Sequence, residues 1–177
     1  VKRISLSTNV LIIAAVCAGP AVFAQQAVTE AAAIKAAYNG IKNNLNGAAE
    51  VMPDDQYSFK ASPDIRTYGA LIAHVADAQG ATCAAVAGST RPESAGSKTA
   101  KADLVAALKA SYDICDGVIN SLTDEDATKT VSTGRGGPRS KFAVLWGMIA
   151  HSNEEYGYLA VYLRLKGIVP PSSAPRK

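Results

Sequence analysis

Two histidines, His74 and His151, are the only imidazoles in this 177-residue chain, and each falls inside a run of helical periodicity. Glu155 stands four residues after His151. Positions four apart share a helix face, so an imidazole and a carboxylate point the same way. Two imidazoles and one carboxylate can hold Zn²⁺ with a position open for water, or Fe²⁺, Mn²⁺ or Ni²⁺ on nitrogen and oxygen donors. The protonation states a metal needs, neutral imidazole and ionised carboxylate, are both available at neutral pH. Asp77, three residues after His74, is a catalytic candidate of a different kind, able to orient an imidazole or a bound water. Glu154 reads as exposed, and Tyr158 and Tyr162 as core or pocket-lining residues. Gly134-Arg135-Gly136-Gly137-Pro138-Arg139 lacks the lysine and hydroxyl of a phosphate loop and reads as an interhelix connection.

Four helices must position these groups. Ile34, Tyr38, Ile41 and Leu45 recur at helical spacing, which predicts an amphipathic helix over 27–51. Ser62-Pro63 offers a cap followed by proline at the first helical position, so the second helix is expected from there to Ala87. Gly88 to Lys98 reads as loop. Thr99 is the expected cap of a third helix that carries Leu104, Leu108, Cys115, Val118 and Ile119 to Leu122. Residues 123–139 read as loop, and the fourth helix spans 140–166, closed by Gly167 and barred from continuing by Pro170-Pro171. No segment alternates with a period of two. The class is all-α, a four-helix bundle.

The cysteines fix the order of the helices. Removal of a leader would take Cys17 away and leave Cys83 and Cys115, an even pair that reads as a disulfide in an oxidising compartment. At the helical rise, Cys83 stands ~25 Å along the second helix and Cys115 ~22 Å along the third. Those heights agree only if the two helices are parallel; an antiparallel pair would separate the sulfurs by ~17 Å. A parallel pair needs a long crossover, and the loop from Gly88 to Lys98 spans ~35 Å when extended. The expected order is up-down-down-up. With the fourth helix descending beside the second, His151 lies at a height of ~17 Å, Glu155 at ~11 Å and His74 at ~12 Å. The three would then meet at one level of the bundle.

Lys2 and Arg3, the apolar run Val10 to Val16 and the small residues of Val22-Phe23-Ala24 predict a cleaved signal peptide over 1–24, with the mature domain over 25–177. The apolar run is too short for a stable membrane span, which takes roughly 20 residues. The chain has 18 basic side chains against 15 acidic ones. Without Lys2 and Arg3 the balance is near +1, which speaks against a nucleic-acid partner. A periplasmic or secreted location is expected. The partners left open are a small-molecule substrate and a second copy of the chain.

Several stretches resemble the DinB-like superfamily. They are Ala49-Glu50-Val51-Met52-Pro53-Asp54-Asp55-Gln56-Tyr57-Ser58-Phe59-Lys60, Arg66-Thr67-Tyr68-Gly69, and His74-Val75-Ala76-Asp77. To these add His151-Ser152-Asn153-Glu154-Glu155-Tyr156-Gly157 and the run from Tyr162-Leu163-Arg164 to Pro170-Pro171. The resemblance covers the mature chain and implies a four-helix bundle, with a divalent metal held by one histidine on the second helix and two on the fourth. His74 and His151 fill two of those positions. Glu155 occupies the third, where the family pattern has histidine. The implied activities are metal-dependent transfer, isomerisation or hydrolysis. Export disfavours the transferases that use cytosolic thiols, which leaves a hydrolase-type metalloenzyme. The alternative is a non-catalytic metal- or ligand-binding module with a degenerate site.

Overall fold

The computed structural model describes residues 28–134 and 137–175; the expected leader, with Cys17, lies outside them. Helix α1 (Glu30–Val51) starts at Thr29, whose hydroxyl accepts the Ala32 N–H. It buries Ile34, Tyr38, Ile41 and Leu45, the residues whose spacing announced it.

Helix α2 (Tyr68–Ala87) begins five residues later than Ser62-Pro63 suggested. The reason lies in the backbone. The N–H groups of Tyr68 and Gly69 donate to the carbonyls of Phe59 and Tyr57, so they cannot serve a helical turn reaching back to Pro63. Thr67 caps the helix instead, accepting the Ala70 N–H. Although α2 is long and apolar enough to cross a bilayer, more than half of its most apolar stretch is buried inside the bundle. That is the composition of a core helix.

Helix α3 (Lys101–Ser121) starts after Ala100, one residue past the expected Thr99 cap, and has no side-chain cap. Lys101 Nζ bonds instead to the carbonyls of Glu50 and Met52 at the end of α1. Residues 123–139 are not wholly irregular, contrary to expectation. They contain a short helix α4 (Asp124–Thr128) and strand β1 (Thr130–Val131), which pairs antiparallel with β2 (Arg139–Ser140). The sequence signal was too short for helical periodicity, and what α4 contributes is tertiary: Asp124 accepts the Ala31 N–H at the start of α1, at 2.8 Å. Helix α5 (Lys141–Leu165) is capped by Ser140. It ends in a Schellman turn, with Ile168 N–H on the Leu163 carbonyl and Gly167 N–H on that of Arg164. Gly167 takes a φ of 72°, a left-handed conformation that a side chain would strain.

The bundle consists of α1, α2, α3 and α5 in the expected up-down-down-up order. Gly69 faces Leu104, Gly80 faces Ser111 and Cys83 is disulfide-bonded to Cys115, so α2 and α3 run parallel. Tyr38 bonds to Asp116 while Lys101 reaches Glu50, so α1 opposes α3. His74 meets His151 and the Tyr162 hydroxyl donates to the Arg66 carbonyl, so α5 opposes α2. The crossover between α2 and α3 lies against the bundle. Pro92 stacks where a Cβ at Gly80 would stand 2.6 Å from its Cγ, so this close approach requires glycine.

Candidate metal centre

The group is built by two helices that meet at opposite polarity. On α5, His151 and Glu155 are one turn apart, and Glu155 follows the buried stripe through Ser152, Tyr156 and Leu159 into the interior. Only 5% of Glu155 is exposed. His74 enters from α2. Its Nε2 lies 3.1 Å from His151 Nε2, and Glu155 Oε1 lies 3.4 Å from His74 Nε2 and 3.6 Å from His151 Nε2. The three potential donor atoms all fall within 4.8 Å of one another, a group that could hold a metal ion.

One feature of this arrangement is costly unless a cation belongs there. Glu155 Oε2 is buried and has no hydrogen-bond partner among the described residues. A buried carboxylate oxygen in that condition forfeits its hydration without compensation. Nearby, the Nε2 atoms of His74 and His151 lie at hydrogen-bond distance, so without a cation one of them carries the proton between them. Burial pushes the His74 imidazole below its ordinary pKa; the negative charge of Glu155 opposes this, and the positive charges of Arg66 and His151 reinforce it. The result favours the neutral imidazole, the form that can coordinate. Nitrogen and carboxylate donors, with both imidazoles about one third exposed, suit a divalent ion of the Zn²⁺, Fe²⁺, Mn²⁺ or Ni²⁺ kind.

The other sequence candidates are placed differently. Asp77 Oδ1 accepts the Ala95 N–H at 2.7 Å and Oδ2 the Ser94 hydroxyl at 2.6 Å, so its carboxylate pins the crossover. Glu154 is exposed, as expected, and accepts the Tyr158 hydroxyl. Tyr162 is core, and its hydroxyl clamps the Arg66 carbonyl at 2.6 Å. Sequence reasoning did not single out that clamp, or the influence of Arg66 on His74. A polar residue just ahead of the Thr67 cap was the only trace of it. The Cys83–Cys115 disulfide is present. Met148 Sδ, one turn before His151, packs 3.4 Å from Cys83 Sγ. Five surface hollows of about 280 to 340 Å³ lie elsewhere, and none of these is lined by His74, His151 or Glu155.

Comparison with known proteins agrees with the fold. Residues 38–159 match the DinB superfamily. A DinB-like protein from Bacillus cereus superposes with a TM-score of 0.68 at 18% identity, over 78% of this chain and 93% of its own. One from Bacillus subtilis gives 0.65 at 20% identity, over 82% of this chain and 99% of its own. No curated protein matches the chain.

Proposed function

The chain belongs to the DinB superfamily, and from that premise we propose that His74, His151 and Glu155 hold one divalent metal ion in a hydrolase-type enzyme acting on a small molecule outside the cytoplasm. The observation that carries the metal is the buried, unpartnered Glu155 Oε2 beside two facing imidazoles. A divalent ion bound there would polarise a substrate carbonyl or lower the pKa of a coordinated water.

The chain's own residues support that role. Glu155 supplies the only negative charge inside the group, and burial favours the neutral form of His74. The clamp from Tyr162 to Arg66 fixes the start of α2 against α5, and so holds the two histidine-bearing helices in register. Both oxygens of Asp77 are engaged in the crossover, and no proton-transfer role is assigned to it. Export is supported by the basic and apolar leader, and by a disulfide of the kind that persists in oxidising compartments. Reduced thiol cofactors are scarce there, which favours hydrolysis over thiol-dependent transfer.

Elemental analysis beside titration calorimetry with Zn²⁺, Mn²⁺, Fe²⁺ and Ni²⁺ tests the centre. Wild type should bind one ion, and His74→Ala and His151→Ala should each abolish stoichiometric binding. Glu155→His should bind at least as well, above all Zn²⁺, because imidazole is a strong ligand for that ion. A wild type that stays metal-free while Glu155→His binds would mark a lapsed centre. If neither binds, the metal assignment is wrong.

A further inference from the structure

Helix α5 carries two seams. One faces the core. The other repeats at Gly147, His151, Glu154, Tyr158, Val161 and Leu165, with spacings that alternate between four and three, the period that keeps one helix against another over several turns. The C-terminal half of this second seam is apolar and open: Tyr158 is 49% exposed, Val161 56% and Leu165 58%. Val169, just past the helix, is 53% exposed. A shallow hollow between Ala160, Val161, Arg164 and Leu165 lies along it. At Gly147 and Gly157 a Cβ would meet nothing within 4 Å, so a second backbone can come close.

Charge selects the occupant. Glu154 stands at one end of the open stretch and Arg164 at the other, and neither forms an ion pair among the described residues. A parallel copy of α5 would set Glu154 against Glu154 and Arg164 against Arg164. An antiparallel copy sets each Glu154 opposite the partner's Arg164, twice about a single twofold axis, as a self-complementary interface requires.

We propose that a second copy of this chain packs its α5 antiparallel on this seam, with the twofold axis between Tyr158 and Val161, and covers the exposed side of the His74–His151–Glu155 group. His151 lies in the same seam, with its side chain 34% exposed. Antiparallel pairing about that axis brings the C-terminal end of the partner's α5 and its apolar Val169 toward His151. The partly exposed imidazoles of His74 and His151 are then covered by the partner. The inference goes beyond the metal assignment and does not need it, because the association can be measured on chelator-treated protein.

The test is sedimentation equilibrium of the full chain from sub-micromolar to about 100 μM, which reads dissociation constants in the micromolar range. A dimer is expected. Val161→Glu combined with Leu165→Glu should raise its dissociation constant by roughly 100-fold or more, with unchanged helical circular dichroism. Glu154→Arg and Arg164→Glu should each weaken it by about tenfold, and the double swap should restore it. Carbethoxylation of His151 by diethyl pyrocarbonate should be faster in the monomeric variant than in wild type. A wild type that stays monomeric, a dimer indifferent to Val161→Glu, or swaps that fail to restore one another would overturn the proposal. So would a monomer that sediments with anionic phospholipid vesicles through Val161 and Leu165.

Discussion

The two flanks of α2 handle buried polarity in opposite ways. On the α3 side no buried side-chain polar atom lacks a partner among the described residues. Cys83 and Cys115 are joined, Gln79 Nε2 donates to the Tyr112 hydroxyl, and Tyr38 OH and Lys42 Nζ occupy the two oxygens of Asp116. On the α5 side, His74, His151 and Glu155 face one another with a carboxylate oxygen left over. A satisfied network rigidifies the bundle. An unsatisfied one lowers its stability and persists only where something else compensates. The α3 flank therefore reads as scaffold and the α5 flank as a binding site.

The largest effect expected from this contrast lies on the scaffold side. Reducing Cys83–Cys115, which closes a separation of 32 residues, should lower stability by about 3–4 kcal/mol in the chain-entropy estimate. Urea unfolding with and without dithiothreitol reads it directly. A loss below about 1 kcal/mol would mean that packing alone holds α2 on α3.

The sharper comparison is between two carboxylates. In chelator-treated protein at pH 8, Glu155→Gln should raise stability by about 1–2 kcal/mol, because a buried carboxylate with one oxygen unpartnered gives way to a neutral amide. Thermal or urea unfolding of the metal-free variant measures it. Should Glu155→Gln destabilise the protein, the α5 flank would be as well satisfied as the α3 flank, and the contrast would collapse.

The smallest effect separates the flanks by pH. Burial alone would raise the Asp116 carboxyl, but hydrogen bonds from Lys42 and Tyr38 outweigh it and hold Asp116 below the usual carboxylate range. A folded-state pKa below the unfolded value of about 3.9 gives stability that is fully present above that value. It is lost as pH falls through the folded pKa. Asp116→Asn should therefore flatten the stability profile below about pH 4 and leave its shape near neutrality unchanged. Urea midpoints of both proteins between pH 2 and 7 would show this, and an acid limb unaltered by the substitution would remove Asp116 from the network.

The sequence by itself determined the bundle and the level at which its chemistry sits. Apolar spacing named the core faces, since Ile34, Tyr38, Ile41 and Leu45 can be buried together only on a helix. A fixed rise per residue turned sequence position into height, so Cys83 and Cys115 ordered the helices and His74 met His151 and Glu155. Backbone geometry is regular, and regular quantities survive in a one-dimensional record.

The tertiary structure alone decided what each polar atom does at that level. Nothing near Asp77 in sequence says that Ser94 and Ala95 will claim both its oxygens. No local signal shows that the carbonyls of Tyr57 and Phe59 stop α2 from beginning at Pro63. The orphaned oxygen of Glu155 is likewise a property of the packed state, in which it is buried and no donor among the described residues comes within reach. Hydrogen bonds depend on a few tenths of an ångström and on the rotation of each helix about its axis. Periodicity fixes the face a residue lies on, and only close packing fixes the atom it touches.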